Sequence, residues 1–269
     1  MIRRGFYFLF LILPFMPFAP TEEDWMRANY VKMEQFIPMR DGVKLYTSIF
    51  VPRNKKSKHP ILLTRTPYSC RPYGPGKFSR AQWPSYWTAY TRENYIIVLQ
   101  DVRGRWMSEG EFVDVRPYIR DKKSINDIDE ASDAYDTIDW LIKNLPFNNG
   151  NVGVIGSSYP GLYAAMAAVD MHPAVKAVNP QAPVVDFFMG DDFHHNGAFF
   201  LLDAFNFYSS FGEPRQGPTT HGTTGFAYPD KSLYEFFLET GTLKKTRQVL
   251  GDSIPFWKDM FEHPDYDDW

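Results

Sequence analysis

The chain has 269 residues, 44% of them hydrophobic and 23% charged, which is ample apolar material for a sizeable core. Its net charge of −3, with no basic patch anywhere along it, argues against a nucleic-acid partner. The single cysteine, Cys70, excludes an intrachain disulfide and a cysteine zinc site, and its turn-like flanks "TPYSCRPYG" offer it no neighbouring base, so it reads as a bystander thiol.

In chain order, basic "MIRR" precedes the apolar run "GFYFLFLILPFMPFAP", and polar "TEEDW" follows. This layout predicts a secretory signal over residues 1–19 and a mature, exported protein that starts near residue 20. The run is short and broken by prolines, so no stable membrane span is expected after its removal; an uncleaved anchor is the alternative. Residues 31–52 alternate apolar and polar around "RDG" and predict a β-hairpin. "HPILLTRTPY" and "YIIVLQD" read as buried strands, "DEASDAYDTIDWLIKN" as a helix with Ala131, Tyr135, Ile138, Leu141 and Ile142 on one face and acidic residues over much of the rest. "NVGVIGSS" is a further strand, "PGLYAAMAAVDM" a helix and "VKAVNPQAP" a strand.

Alternating strands and helices predict an α/β fold, a mostly parallel sheet with helices on both faces. Active residues in such sheets lie beyond the carboxyl ends of the strands, which here means after "ILLTR", "YIIVLQD" and "NVGVIG". Beyond residue 186 the chain turns aromatic. "FHHNGAFFLLDAFNFYSSF" and the stretches around 232–250 and 254–269 look helical, with a Gly/Pro/Thr loop between. The expected organisation is therefore a signal (1–19), the N-terminal part of the α/β domain (30–190), and the beginning of a helical cap (191–269).

The stretch Gly156-Ser157-Ser158-Tyr159-Pro160-Gly161 sits between a strand and a helix. It is one residue longer than the G-x-S-x-G nucleophile elbow. Ser158 stands two residues after Gly156, at the turn itself, and is the candidate nucleophile; Ser157 has no glycine two residues before it. A plain glycine-rich turn is the alternative. In "QDVRGRWMSEG", Asp101, Arg103 and Glu109 fall near the same face, and an Arg–carboxylate pair that stabilises the loop is the expected role.

Six separated segments, "IPMRDGVKLYTSIFVP", "ILLTRTPYS", "VLQDVRGRWMSEGEF", "DAYDTIDWL", "NVGVIGSSYPG" and "MGDDFHHNGAF", carry a wider resemblance. The chain resembles the α/β-hydrolases related to X-Pro dipeptidyl peptidase, cocaine esterase and glutaryl-cephalosporin acylase. "GDDFHHNGAF" and "FWKDMFEHPDYDDW" are most similar to the α-amino-acid ester hydrolases. The resemblance implies Ser158 as the acylated nucleophile, with the Tyr159 backbone N–H and the Tyr68 hydroxyl as oxyanion donors. It also implies Asp192 as a holder of the substrate's α-ammonium group; a helix N-cap is the alternative for Asp192 or its neighbour Asp191.

The implied activity is acyl transfer on small-molecule esters, amides or short peptides, α-amino-acid esters first. The alternatives are an X-Pro dipeptidase or general carboxylesterase of the same fold, or a non-catalytic remnant. No cofactor or metal is implied, since serine acyl transfer needs neither, and oligomeric state is not legible. A serine also needs a base and an acid, which in this fold follow it in the order Ser, Asp or Glu, His. His59, His172, His194, His195, His221 and His263 all lack the setting of a catalytic base. The expectation is a chain that stops inside the cap, with acid and base beyond residue 269 and little activity of its own.

Overall fold

The computed structural model of the chain describes residues 21–78, 87–189 and 192–267; the signal expected at 1–19 lies outside them. The predicted hairpin is β1 (Tyr30–Pro38) paired antiparallel with β2 (Lys44–Pro52), in register from Tyr30↔Pro52 to Pro38↔Lys44. Gly42 turns it at φ +87°, a left-handed backbone that glycine adopts without cost. β3 (His59–Thr66), β4 (Ile96–Asp101), β5 (Asn148–Ser157) and β6 (Val175–Gln181) follow. The sheet order is β1-β2-β4-β3-β5-β6, antiparallel as far as β4 and parallel from there on.

The strands are continuous apolar runs because both faces of the sheet are covered. Alternate residues part to opposite sides. Ile49, Ile61, Leu63, Ile96, Val98, Val152 and Val154 pack on one face beneath α3 (Glu130–Asn144) and α4 (Tyr159–Val169). Phe50, Leu62, Ile97 and Ile155 pack on the other, against Met26 of α1 (Glu22–Asn29) and Trp87 of α2 (Trp87–Arg92). Each such side chain contributes about 1.5–3 kcal/mol by leaving water. Neither α1 nor α2 was expected from periodicity. α1 starts at a Thr21–Asp24 capping box that the polar "TEED" already spells out.

α3 departs from its expected pattern in two ways. Tyr135 does not pack inward; it lies over the ring of His172 at 4.7 Å. Two of its acidic residues, Glu130 and Asp133, are buried, while Asp136 and Asp139 are only half-buried and bind Arg40 and Lys143. The buried pair is tolerated because two guanidinium groups meet it: Arg65 lies 3.1 Å from Glu130, and Arg103 lies 2.7 Å from Asp133.

The segment beyond β6 opens differently from the expected helix. A small hairpin, β7 (His194–His195) with β8 (Ala198–Phe199), turns at Asn196-Gly197, where both residues have positive φ. That Asn-Gly pair is a hairpin signal which the aromatic run around it obscured. Helices α5 (Leu201–Tyr208), α6 (Leu233–Thr240), α7 (Leu243–Leu250) and α8 (Pro255–Glu262) then enclose a second, aromatic core. Phe205, Tyr208 and Trp257 are fully buried there, and Phe205 meets Phe237 edge to face at 5.1 Å.

Candidate active site

β5 ends at Ser157 and α4 begins at Tyr159, which leaves Ser158 alone in the turn. Its backbone sits at φ 60°, ψ −127°, a region that costs a non-glycine residue about 1–3 kcal/mol and persists only where the surroundings over-determine it. They do so here. Ser158 donates its N–H to the Gln181 carbonyl at 2.9 Å, and its own carbonyl accepts from Gly161 at 2.7 Å and Leu162 at 3.2 Å. Gly156 and Gly161 allow the turn to close. A Cβ on Gly156 would lie 2.0 Å from the Pro160 carbonyl oxygen, and one on Gly161 would lie 2.7 Å from the Gln181 oxygen. The longer G-x-S-x-x-G spacing thus works because its last glycine packs against β6. Ser157, by contrast, is an ordinary strand residue paired with Gln181.

Ser158 is exposed at the mouth of a cavity of about 680 Å³. Tyr68, Tyr159 and Asp192 line it too, so all four residues singled out from sequence share one site. Phe187, Phe193, Phe200 and Phe207 supply aromatic walls, and Asp203 of α5 adds a second carboxylate. No lysine or arginine lines the cavity among the described residues.

Tyr68 follows β3 in the loop 67–72. Its ring stands edge-on to that of Tyr159 at 6.4 Å and against Phe211 at 5.8 Å. Its hydroxyl makes no hydrogen bond among the described residues. Tyr68 is 44% exposed at the cavity mouth, but partial desolvation among the surrounding rings pushes its phenol up to about 12, with the Asp114 and Asp192 carboxylates adding to the shift, so it remains a proton donor at any physiological pH. The Pro67 carbonyl that precedes it is clamped by Arg105 Nε at 3.2 Å and by the Trp106 indole N–H at 2.9 Å. These two residues, and Arg215, which caps the carbonyls of Gly104, Trp106 and Ser108 from the α5–α6 connection, were not singled out from sequence. Only "GRW" after the strand hinted at the first two.

Arg103 of the β4 loop does pair with carboxylates, but with Asp41 and Asp133 from outside the loop and not with Asp101 or Glu109. Arg103 binds Asp41 at 2.7 Å and Asp133 at 2.7 Å, and Glu109 accepts the Lys44 N–H at 3.0 Å. Asp101 is buried and accepts the Cys70 N–H and the Tyr73 hydroxyl, which makes it a fixture of the Tyr68 loop.

The Ser158 hydroxyl has no hydrogen-bond partner among the described residues. His59 is engaged by the Asn54 carbonyl, His194 by the Phe187 carbonyl, and His172 accepts the Ala174 N–H. His263 pairs with Asp267 at 2.7 Å, but both line the neighbouring cavity, not that of Ser158. His195 does line the Ser158 cavity, where its ring stacks on Phe200. It is exposed and is not hydrogen-bonded to the serine.

The family model for X-Pro dipeptidyl-peptidase (S15 family) matches residues 41–269. The chain belongs to that family. This S15-family chain is 33% identical over 174 residues to the cocaine esterase of Rhodococcus sp. (strain MB1 Bresler), an alignment that takes in 63% of the chain and 27% of the esterase. Among solved structures it resembles an aminopeptidase from a marine sediment Thaumarchaeota archaeon, with TM-score 0.78 and 35% identity over 96% of the chain and 41% of that protein. It also resembles an α-amino-acid ester hydrolase, with TM-score 0.77 and 36% identity over 97% of the chain and 41% of that protein. The S15-family chain, an α/β-hydrolase sheet with the helices that follow it, thus spans less than half the length of these relatives.

Proposed function

We propose that the protein is a serine hydrolase of esters or amides, with Ser158 as the nucleophile. The observation that carries this is the Ser158 backbone, held at φ 60° between β5 and α4 and opening into a cavity that also holds Tyr68. The Ser158 hydroxyl attacks a substrate carbonyl, and the tetrahedral oxyanion takes hydrogen bonds from two donors. One is the Tyr159 N–H, which lacks an acceptor within its helix because it is the first residue of α4. The other is the Tyr68 hydroxyl. The proton of the Ser158 hydroxyl, taken by a base during the attack, passes to the departing alcohol or amine, which leaves an acyl-enzyme that water resolves.

α-Amino-acid esters are the favoured substrates. Asp192 and Asp203 face a cavity with four phenylalanine walls and no cation among its described lining residues, which suits an ammonium group beside an apolar side chain. Asp192→Asn tests this: kcat/KM should fall on a free α-amino ester and hold on its N-acetyl counterpart, whereas an equal fall on both overturns the ammonium role and favours a general esterase.

Because the Ser158 hydroxyl meets no histidine among the described residues, the 269-residue chain should turn esters over only slowly. Treatment of the chain with a fluorophosphonate, followed by peptide mapping, should place the adduct on Ser158 and none on Ser157. An adduct on any other serine, or none after prolonged exposure, removes the nucleophile. Rapid ester turnover that Ser158→Ala abolishes removes the claim that a base is lacking.

A further inference from the structure

Asp114, in the connection between β4 and α3, is a buried carboxylate with partners on two other elements. It accepts the Tyr159 hydroxyl on Oδ1 and the Tyr208 hydroxyl on Oδ2, the latter at 3.1 Å. Tyr159 opens α4 directly after Ser158, and Tyr208 closes α5; both are buried. The Tyr159 hydroxyl oxygen also accepts the Val115 N–H at 2.7 Å. Val115 reaches it with φ at +43°, an uncommon backbone for a β-branched residue. The Tyr159 phenol is therefore fixed through both its proton and its lone pair, by one short segment that is itself held in an unfavourable conformation.

The consequence reaches both donors of the hole. Tyr159 gives the backbone N–H, and its ring is the surface on which the Tyr68 ring rests edge-on at 6.4 Å. Phe211, three residues beyond Tyr208, touches both rings, at 5.8 Å in each case. A shift of α5 moves Tyr208 and Phe211 together, and Asp114 passes that shift to Tyr159.

We infer that Asp114 is a positioning residue for the oxyanion hole, coupling the placement of α5 to the two donors beside Ser158. This rests on Ser158 being the nucleophile. The carboxylate is suited to the task when ionised, because it then accepts charge-assisted bonds from both phenols at once; with a proton on one oxygen, that oxygen becomes a weaker acceptor and the phenol on it is held less firmly. Burial pushes Asp114 up to about 6, against the two phenol hydrogen bonds and the charge of Arg105. Tyr68 and Tyr163 also face it. Across the adjoining cavity lie the carboxylates of Glu111, Asp186, Asp259, Asp265 and Asp267, with His194 and His263.

The test is the rate of fluorophosphonate labelling at Ser158 in the 269-residue chain, from pH 5 to 8, for wild type, Asp114→Asn and Tyr208→Phe. Near pH 7.5, Asp114→Asn should slow labelling on the order of tenfold, a part of the 10²–10³ that follows loss of a whole donor. Tyr208→Phe, which keeps the ring and the fold, should slow it severalfold. The ratio of wild type to Asp114→Asn should shrink toward one below pH 6, a change that a purely structural carboxylate would not produce. Equal rates at pH 7.5, or a ratio constant across the range, overturn the inference while leaving Ser158 in place. A wild-type chain that takes no label at Ser158 instead removes the nucleophile, and this role with it.

Discussion

Gly156→Ala is the sharpest perturbation of the elbow. The new Cβ would stand 2.0 Å from the Pro160 carbonyl oxygen and 2.2 Å from its carbon. An ordinary carbon–oxygen contact needs about 3.3 Å, so β5 and α4 must separate by roughly 1.3 Å. Backbone faces backbone there, and no side chain can swing aside. Overpacking of this kind costs about 1–3 kcal/mol, and the upper end applies where no rotamer relieves it. Without the clash the same change would stabilise by about 0.4–1 kcal/mol through the unfolded chain, so the contact decides the sign. For a chain of this size about 3 kcal/mol lowers the melting temperature by roughly 6–12 °C. A donor displaced by about 1 Å costs on the order of 10²-fold in rate. Thermal melts and Ser158 labelling of wild type, Gly156→Ala and Ser157→Ala read both effects; Ser157→Ala should match wild type in each. A Gly156→Ala chain with wild-type melting and labelling would refute the close approach of strand and helix at this glycine.

Tyr68→Phe keeps the packing on Tyr159 and Phe211 and removes only the hydroxyl, so labelling of Ser158 should slow about 10²–10³-fold with the melt unchanged; less than a fivefold loss rules the phenol out as a donor. Arg103→Met leaves Asp41 and Asp133 without their shared cation and should cost about 3–5 kcal/mol in denaturant unfolding, against under 1 kcal/mol if the pairing is dispensable. Asp101, like Asp114, is pushed up to about 6 by burial. A carboxyl raised in the folded state gives stability below its unfolded value near 3.8 and loses it as pH rises through 6, so unfolding at pH 5 should release protons from both. An infrared carbonyl band of a protonated carboxyl at pH 5, weakened in Asp101→Asn and gone by pH 8, checks this; its absence at pH 5 refutes the shift. Expression in a secreting host should yield a mature N-terminus near residue 20, and an exported chain that retains Met1 contradicts the signal.

Much of the fold follows from local pattern. The apolar runs of β3, β4 and β5 could only be strands covered on both faces, and "RDG" between alternating residues could only turn back on itself. Ser158 was legible because glycines, a strand and a helix flank it within a dozen residues. Tyr68, Tyr159 and Asp192 came from a wider resemblance, since no local spacing distinguishes an oxyanion tyrosine from a packed one. Tertiary contact decided the rest. Glu130 and Asp133 look like solvent-facing helix acids until Arg65 and Arg103 arrive from other elements, and His194-His195 looks helical until Asn196-Gly197 folds it back. Asp114 belongs to no motif. Its two phenol partners lie 45 and 94 residues further along the chain, and only the shared aromatic core that takes in the start of α4 and the end of α5 brings them to one carboxylate. Local pattern along the chain was enough for the strands, the elbow and the serine within it. What surrounds that serine was set by distances between residues remote in the chain, because desolvation and hydrogen bonding depend on neighbours in space rather than in order.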